Sequence, residues 1–314
     1  MAASVGTTTA DILKINQGAR PSALGGAYTA LGDDAYAVGY NPAGLVFVKA
    51  SQLILFHLDS LADISYEYLT FATAMGSENV FAFNTIYRHS PPIDNQNGNK
   101  PVNTDDLVAG LSYARKFSSA FRAGVTLKYV QSTLDTLSGS AIAFDIGAQL
   151  DKLPYGIRLG LAVQNLGTGM TFNPASSADP LPMFLRFGVG THQVIDGNKD
   201  LNIAVEVFKP ADQDIKMSVG GEFWLFPELF AVRGGYKFEH LTSPFGGSDP
   251  NTGQPYPSVS NAFQNYTLGC TLTRRFEGDD LSLDIAYNPA TFTTTVQDTF
   301  FFGLNFKFNQ LRIF

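Results

Sequence analysis

The sequence has few charged residues, a single cysteine and no long apolar run, and each shortage excludes a class of protein. Charged residues make up 16% of the 314 positions, whereas typical proteins carry about 25%. The lone Cys270 excludes a disulfide framework within the chain and a metal site built from several cysteines. No apolar stretch reaches the roughly 18 residues that indicate a membrane-spanning helix. The formal net charge of -7 disfavours nucleic acid as a partner, since phosphate binding needs a basic face.

Aromatic residues, in contrast, are abundant. They account for 13% of the chain, with 26 Phe and 13 Tyr. Few charges together with many aromatic side chains indicate that part of the surface contacts lipid instead of water. Because every backbone polar group inside a membrane must be paired within the protein, a closed β-barrel is the remaining way to cross a bilayer.

Segments that alternate apolar and polar residues follow one another from residue 51 onward. Within residues 121–129, for example, Phe121 and Tyr129 fall on one face, and Arg122 and Lys128 fall on the other. This period of two is the mark of a strand with two different faces. We predict fourteen such strands, an even number as in bacterial outer-membrane barrels. They cover residues 51–58, 64–75, 79–88, 106–117, 121–133, 140–151, 156–166, 183–194, 200–208, 215–226, 229–239, 263–276, 280–288 and 298–308.

The lengths of the connections between these strands give a second test of the barrel. An up-and-down barrel places alternate connections on opposite sides of the membrane, with short turns in the periplasm and longer loops outside. The even-numbered connections are all short and comprise residues 76–78, 117–119, 151–155, 195–199, 226–228 and 277–279. The long connections are all odd-numbered and comprise residues 89–105, 167–182, 240–262 and 289–297. A miscounted strand would disturb this parity.

A soluble sandwich or soluble barrel is the alternative, because its strands also alternate. Such a protein would turn its polar face outward and have shorter strands. Here the polar face is rich in Gly, Ser and Thr with isolated charges, as in a wet lumen. Two segments, 64–75 and 79–88, carry apolar residues on both faces. The sequence therefore predicts an all-β fold, a 14-stranded antiparallel transmembrane β-barrel formed by residues 51–314.

The stretch before the strands differs from the rest of the chain. Residues 25–45 are crowded with small residues, and Gly25 and Gly26 let backbone approach backbone closely. A barrel of fourteen strands is wider than the eight-stranded kind that side chains alone can fill. We therefore predict that residues 1–50 form a separate region folded into the lumen as a hatch. An ordinary surface loop is the alternative.

Five further residues of this region are candidate hatch residues. Asp33 or Asp34 is expected to cap a short helix that follows directly. Arg20 is the expected partner of these two carboxylates or of charges on the barrel wall. Asn41 and Pro42 are expected to be the N-cap and the first residue of a second compact turn.

These residues also carry a family resemblance. Residues 18–45, GARPSALGGAYTALGDDAYAVGYNPAGL, resemble the start of PorV/PorQ-type outer-membrane proteins. They are more distantly similar to FadL-type channels for hydrophobic compounds, which also place an Asn-Pro-Ala element in an N-terminal hatch. The resemblance implies a 14-stranded barrel with the hatch inside. A PorV-type protein would act in type IX secretion, and a FadL-type protein would take up hydrophobic molecules passively.

Three functions follow from these observations. The first is a barrel that binds a protein partner, either secreted cargo or a translocon component, through loop aromatics such as Phe172, Phe245 and Tyr256. The second is a FadL-like channel in which the hatch moves to admit a hydrophobic ligand. The third is a structural outer-membrane protein for assembly or surface attachment. In each case we expect a bacterial outer-membrane location, with its lipid as a partner. Since no signal peptide is visible, we expect the numbering to be that of a mature or recombinant form.

No pattern typical of an enzyme is present. The four histidines are scattered without the spacing of metal ligands. A Gly-x-Ser-x-Gly nucleophile elbow is missing, and Gly25-Gly26 is not followed by the Lys-Ser/Thr of a phosphate-binding loop. We therefore expect no catalytic residues, no metal site and no cofactor.

Overall fold

In a computed structural model, fourteen antiparallel strands pair into one closed barrel, which confirms the predicted fold. The structure describes residues 7–60, 63–92, 104–173, 177–195, 199–238, 265–289 and 299–308. The strands are β1 (Ser51–Asp59), β2 (Ser65–Met75), β3 (Asn79–His89), β4 (Thr104–Lys116), β5 (Phe121–Leu134), β6 (Leu137–Leu150), β7 (Ile157–Gly167), β8 (Phe184–Ile195), β9 (Lys199–Pro210), β10 (Lys216–Phe226), β11 (Phe230–Phe238), β12 (Tyr266–Phe276), β13 (Asp279–Asn288) and β14 (Thr299–Phe308).

Each strand pairs with its neighbours in the chain, and the pairing of β1 with β14 closes the sheet. This seam runs from Ser51 opposite Phe308 to Leu58 opposite Phe301. Predicted and observed strand boundaries differ by at most three residues. One such difference is the start of β6, at residue 137 instead of 140, because Asp135 adopts a φ of 53° and allows a two-residue turn. Ser138 and Gly139, predicted as loop, are therefore part of the strand.

The two ends of the barrel differ as the parity of the connections predicts. One end, called here the short-turn end, carries the connections 76–78, 117–120, 151–156, 196–198, 227–229 and 277–278. The opposite end, called the long-loop end, carries the long connections 90–103, 168–183, 239–265 and 289–298. β1 begins and β14 ends at the short-turn end.

Apolar side chains point outward from the barrel and polar side chains point into the lumen. On β5, Leu127 and Tyr129 are exposed, whereas Arg122 and Lys128 are buried. Other outward-facing exposed residues are Leu55, Phe81, Phe83, Leu111, Val125, Ile142, Phe144, Leu161, Leu185, Phe187, Ile203, Val232, Leu268, Leu272, Phe300, Phe302 and Leu304. The exterior thus forms an apolar band suited to lipid. Among the described residues, no helix has the length and apolar character of a membrane span.

The lumen wall of β1–β3 is an exception, because its inward side chains are apolar. Ile54, Phe56, Tyr68 and Ile86 are all buried in one cluster with residues that precede β1. This packing explains why the second and third strands carry apolar residues on both faces. Their inner face packs against the residues that precede β1, and their outer face belongs to the apolar exterior.

Residues 7–50, called here the N-terminal segment, supply that internal packing. The segment contains α1 (Ala19–Ala23) and three 3₁₀ helices, Asp11–Lys14, Ala35–Gly39 and Pro42–Phe47. α1 contacts β11–β14, and the last 3₁₀ helix contacts β3–β6 on the other side. Since the segment contacts strands that lie across the barrel from each other, it lies within the barrel.

Candidate functional site

A buried ionic cluster joins the N-terminal segment to the barrel wall. Arg20 Nη1 donates to Asp33 Oδ1 at 2.6 Å and to Asp34 Oδ2 at 2.8 Å. On its other side, Arg20 Nε and Nη2 donate to the two carboxylate oxygens of Glu222 on β10, at 2.8 and 2.9 Å. This two-point contact is the strong, oriented form of an ion pair. Arg20 therefore holds two parts of the segment together and holds both to β10.

Glu222 is the centre of the wall side of this cluster. Its side chain is fully buried and also accepts from Arg233 Nε at 2.6 Å. Asn202 Nδ2 and Trp224 Nε1 donate to Oε1 of the same carboxylate at 2.9 and 3.2 Å. A buried carboxylate with this many donors is well satisfied. The sequence offered only one signal for Glu222, its inward position in an alternating strand, and we did not predict its role.

Asp34 has a second function as a helix cap. Its Oδ1 accepts from the backbone N–H of Tyr36 at 2.9 Å, at the start of the 3₁₀ helix Ala35–Gly39. Burial raises the pKa of Asp34 above its ordinary value, and Arg20 opposes this effect. Burial also disfavours the charge of Arg20, but the neighbouring Asp33 and Glu222 outweigh it and the pKa of Arg20 is raised.

Asn41 and Pro42 form the cap of the next 3₁₀ helix. Asn41 Oδ1 accepts from the N–H of Ala43 at 3.1 Å, and Pro42 occupies the first turn. The side-chain amide of Asn41 donates to the carbonyls of Thr29 and of Ala148 on β6, both at 3.0 Å. Asn41 therefore caps the helix, ties it to an earlier part of the segment and attaches both to the wall.

Glycines in the wall allow the segment to lie directly against the strands. A methyl group placed on Gly220 of β10 would lie 2.5 Å from the carbonyl oxygen of Leu24, and one on Gly124 of β5 would lie 2.6 Å from the carbonyl carbon of Pro42. Within the segment, Gly25 and Gly26 adopt φ values of +66° and +84°, which favour glycine. A methyl group on Gly25 would also lie 3.3 Å from the backbone nitrogen of Tyr236.

A second buried ion pair receives the middle of the segment. Arg186 on β8 and Glu206 on β9 are paired at 2.7 Å. The other oxygen of Glu206 accepts from the backbone N–H groups of Tyr28 and Thr29 at 2.9 and 2.8 Å. These N–H groups would otherwise be unpaired in the interior, so the ion pair satisfies them.

The start of the segment is attached at the long-loop end. Lys14 Nζ and Thr8 Oγ1 donate to Asp212, in the connection after β9, at 2.8 and 2.6 Å. The N–H of Thr9 donates to the carbonyl of Pro180, in the connection after β7, at 3.0 Å. Because residue 51 lies at the short-turn end, the segment runs through the full height of the barrel.

Of the three loop aromatics predicted for partner contact, one lies among the described residues. Phe172 is half-buried and packs against the core cluster, next to the fully buried Met170. Phe245 and Tyr256 lie outside the described residues. Five charged residues of the barrel wall, Arg122, Lys128, Arg158, Arg233 and Asp284, face the lumen. Arg233 pairs with Glu222, which in turn binds Arg20. The guanidinium groups of Arg122 and Arg158 lie over the Phe47 ring, 4.3 and 5.0 Å from its centre. Lys128 pairs with Asp145 of the wall, and Asp284 accepts a hydrogen bond from the Tyr36 hydroxyl at 3.4 Å.

The described residues border two cavities in the lumen, along the same part of the wall. The outer cavity, of about 310 Å³, lies toward the long-loop end and is bordered by Ile15, Leu58, Phe208 and Phe301 with Lys14, Lys216 and Lys237. The inner cavity, of about 430 Å³, opens at the short-turn end and is mostly polar. It is bordered by Asp33, Lys49, Asn202, Trp224, Asp280 and Lys307 among others. In the part of the chain that the structure describes, no group of three or more His, Cys, Asp or Glu is placed to hold a metal ion.

Comparisons with known proteins support the fold. The profile of an uncharacterised protein family, UPF0164, matches residues 2–129. No curated protein has a matching sequence. Among solved structures, the toluene transporter TbuX of Ralstonia pickettii is 11% identical with a TM-score of 0.57, over 92% of this chain and 97% of that one. The toluene transporter TodX of Pseudomonas putida is 11% identical with a TM-score of 0.59, over 98% of both chains.

A FadL homologue of Pseudomonas aeruginosa is 8% identical, with a TM-score of 0.53 over 97% of this chain and 99% of that one. At such low identities, the similarity to these proteins shows a shared fold and nothing more. The chain therefore has the fold of FadL-like barrels.

Proposed function

We propose that the protein is a passive outer-membrane channel for small hydrophobic molecules. The observation that carries this proposal is the outer cavity toward the long-loop end, where the apolar side chains of Ile15, Leu58, Phe208 and Phe301 lie among charged and polar ones. Small-molecule sites are usually concave and combine apolar side chains with placed polar groups. The solved proteins of the same fold include transporters of toluene, which supports the same class of ligand.

We further propose that residues 1–50 form a hatch in the lumen of a barrel domain of residues 51–314. The hatch residues are those predicted: Arg20, Gly25, Gly26, Asp33, Asp34, Asn41 and Pro42. The contacts of Arg20 with β10 and of Asn41 with β6 support this proposal. The apolar exterior supports an outer-membrane location, with the short-turn end in the periplasm.

Uptake of radiolabelled toluene tests the proposal. Cells that lack a hydrocarbon channel of their own are expected to take up toluene faster when they express this protein. Ser218→Phe, which fills the outer cavity from its wall, is expected to return uptake to background. Val219→Phe is the matched control, since the next residue of β10 faces the exterior. Equal uptake by the two variants, or none above background by the unaltered protein, would contradict the channel.

Binding of a protein partner in type IX secretion, as in PorV/PorQ proteins, is the alternative function. It rests on the resemblance of residues 18–45 and on the loop aromatics Phe172, Phe245 and Tyr256. Isolation of the barrel from solubilised membranes tests it, because a stoichiometric protein partner is then expected. A barrel that is recovered alone and takes up toluene normally would leave the channel as the supported function. A barrel that neither binds a partner nor takes up toluene would favour the purely structural role.

A further inference from the structure

The exterior of strands β2–β6 carries a groove of about 490 Å³, larger than either of the lumen cavities described above. Its lining is almost wholly apolar. Two rows of outward-facing side chains cross the strands and border it: Phe83, Leu111 and Leu127 in one row, and Phe81, Tyr113 and Val125 in the next. Because this surface belongs to the apolar band of the barrel, a hydrocarbon chain is the matching occupant.

The groove has a firm back wall. On the lumen side of the same sheet, the 3₁₀ helix Pro42–Phe47 contacts β3, β4, β5 and β6. A methyl group on Gly124 of β5 would lie 2.6 Å from the carbonyl carbon of Pro42, so no space remains between the helix and the strand. A groove whose shape is already fixed binds a flexible chain at a smaller entropic cost than a surface that must itself be ordered.

The groove lies in the half of the barrel nearest the short-turn end. On β4, Leu111 borders the groove and Arg115 lies close to the turn that follows. The distance between them along the strand is about 13 Å, close to half of a hydrocarbon core of about 30 Å. Phe117 and Phe121, exposed beside that turn with ring centres 5.8 Å apart, are typical of the aromatic girdle at a membrane boundary. Arg115 is therefore at the boundary, and the groove is at the depth of acyl chains.

Toward this boundary, the groove ends in polar side chains. The hydroxyl of Tyr113 donates to Asn79 Oδ1 at 2.7 Å. The next outward residue of β4 is Arg115, which is half-exposed and lies 3.6 Å from the half-exposed carboxylate of Glu78. An exposed ion pair of this kind contributes little stability. The guanidinium group can therefore turn its donors toward a phosphate, which arginine binds through two parallel hydrogen bonds.

We propose that the groove on β2–β6 binds one phospholipid of the inner leaflet, with an acyl chain in the groove and the headgroup phosphate on Arg115. The apolar lining and the cation at the boundary match the two parts of such a lipid in the order in which the membrane presents them. The inference goes beyond the channel function and rests only on the proposed outer-membrane location, with the short-turn end in the periplasm.

Native mass spectrometry of the purified protein tests the phosphate contact. The probe is phosphatidylglycerol with palmitoyl and oleoyl chains, and one molecule is expected to bind per barrel. Arg115→Gln is expected to weaken this binding about tenfold or more, because charge-assisted hydrogen bonds are lost. Arg274→Gln is the matched control, since Arg274 also lies over an aromatic ring, that of Phe276, beside a turn at the short-turn end. Diacylglycerol with the same chains lacks the phosphate and is expected to bind equally to both variants.

A second pair of variants tests the acyl-chain contact. Val125→Trp places a large ring in the groove from an exposed position of β5. It is expected to weaken binding of phosphatidylglycerol about tenfold or more, because several methylene groups lose their apolar contacts. Val232→Trp on β11 is the matched control, since this valine is also exposed on the exterior in the half nearest the short-turn end. Folding of all variants is checked by their heat-dependent migration on gels.

Each other outcome overturns the proposal. Equal binding by the two arginine variants would show that the phosphate is not on Arg115, and equal binding by the two valine variants would show that the chain is not in the groove. A dimer that Val125→Trp dissociates would assign the groove to a second copy of the chain. Toluene uptake is measured separately: its absence with intact lipid binding rejects only the channel, and uptake without lipid binding rejects only this inference.

Discussion

The close contact of the N-terminal segment with wall glycines makes a sharp prediction for two neighbouring residues. Gly220 and Gly221 are consecutive on β10, but they face opposite sides of the sheet. A methyl group on Gly220 would lie 2.5 Å from the Leu24 carbonyl oxygen and 2.9 Å from the Leu24 Cβ, whereas one on Gly221 would meet no atom within 4 Å. Carbon–oxygen contacts are normally about 3.3 Å or longer. Gly220→Ala therefore forces Leu24 or the strand to shift by about 0.8 Å.

The size of the effect follows from ordinary packing energies. Overpacking of this kind costs about 1–3 kcal/mol. Gly221→Ala adds a methyl group on the lipid side and removes the conformational freedom of a glycine, which stabilises a strand by about 0.5–1 kcal/mol. The two variants are therefore expected to differ by roughly 2–4 kcal/mol in free energy of unfolding.

Urea unfolding of the protein in lipid vesicles, followed by the fluorescence of the single Trp224, measures this difference. With denaturant slopes of about 1–3 kcal/mol per M, the unfolding midpoint of Gly220→Ala is expected to lie about 0.7 M or more below that of Gly221→Ala. Equal midpoints, or a lower midpoint for Gly221→Ala, would refute the inference that backbone of the segment lies directly on β10.

Two further predictions concern the attachments of the segment. Asn41→Ala is expected to lower the free energy of unfolding by about 1–3 kcal/mol, because a helix cap and two buried hydrogen bonds are lost. Asn41→Ser keeps a cap acceptor, so its free energy of unfolding is expected to fall by less. Equal decreases for the two variants in urea unfolding would contradict the role of the cap. Asp212→Asn is expected to cost about 1 kcal/mol at pH 7. Burial raises the pKa of Asp212, but the hydrogen bonds from Lys14 and Thr8 outweigh this, and the pKa is lowered. Its contribution is thus present above the unfolded pKa of about 3.9 and is lost as the pH falls through the folded value. The difference between Asp212→Asn and the unaltered protein is expected to vanish as the pH falls through the lowered pKa of folded-state Asp212, and a difference that persists at still lower pH would contradict this assignment. For Lys14, burial lowers the pKa, but its bonds to Asp212 and Asp11 raise it above the ordinary value. The stability that the Lys14–Asp212 pair contributes is therefore lost at high pH only above about pH 10.4.

The barrel could be predicted from the sequence because its physical constraints are local and repeated. Alternation gives each strand its two faces, and the parity of short and long connections fixes the strand count. Residues 137–139 were missed because a Ser-Gly run is typical of loops, and the two-residue turn depends on the left-handed backbone of Asp135.

The partners of the N-terminal segment could be predicted only in part. Arg20 and the two carboxylates at 33 and 34 are near in sequence, so their pairing was expected. Glu222 and Glu206 are about two hundred residues away from their partners, and their roles depend on which strand faces which part of the segment. The same holds for Gly220, since a glycine that faces the lumen cannot be distinguished by pattern from one that faces lipid.

The path of the N-terminal segment through the barrel has a consequence for biogenesis. Its first described residues are attached to Pro180 and Asp212 at one end, it contacts strands on all sides, and it leaves through the other end into β1. A polypeptide held so closely cannot be inserted after the hydrogen bonds between β1 and β14 have formed. We therefore expect the sheet to curl around the segment during assembly and the β1–β14 seam to form last, so that the interior is built before its enclosure is complete.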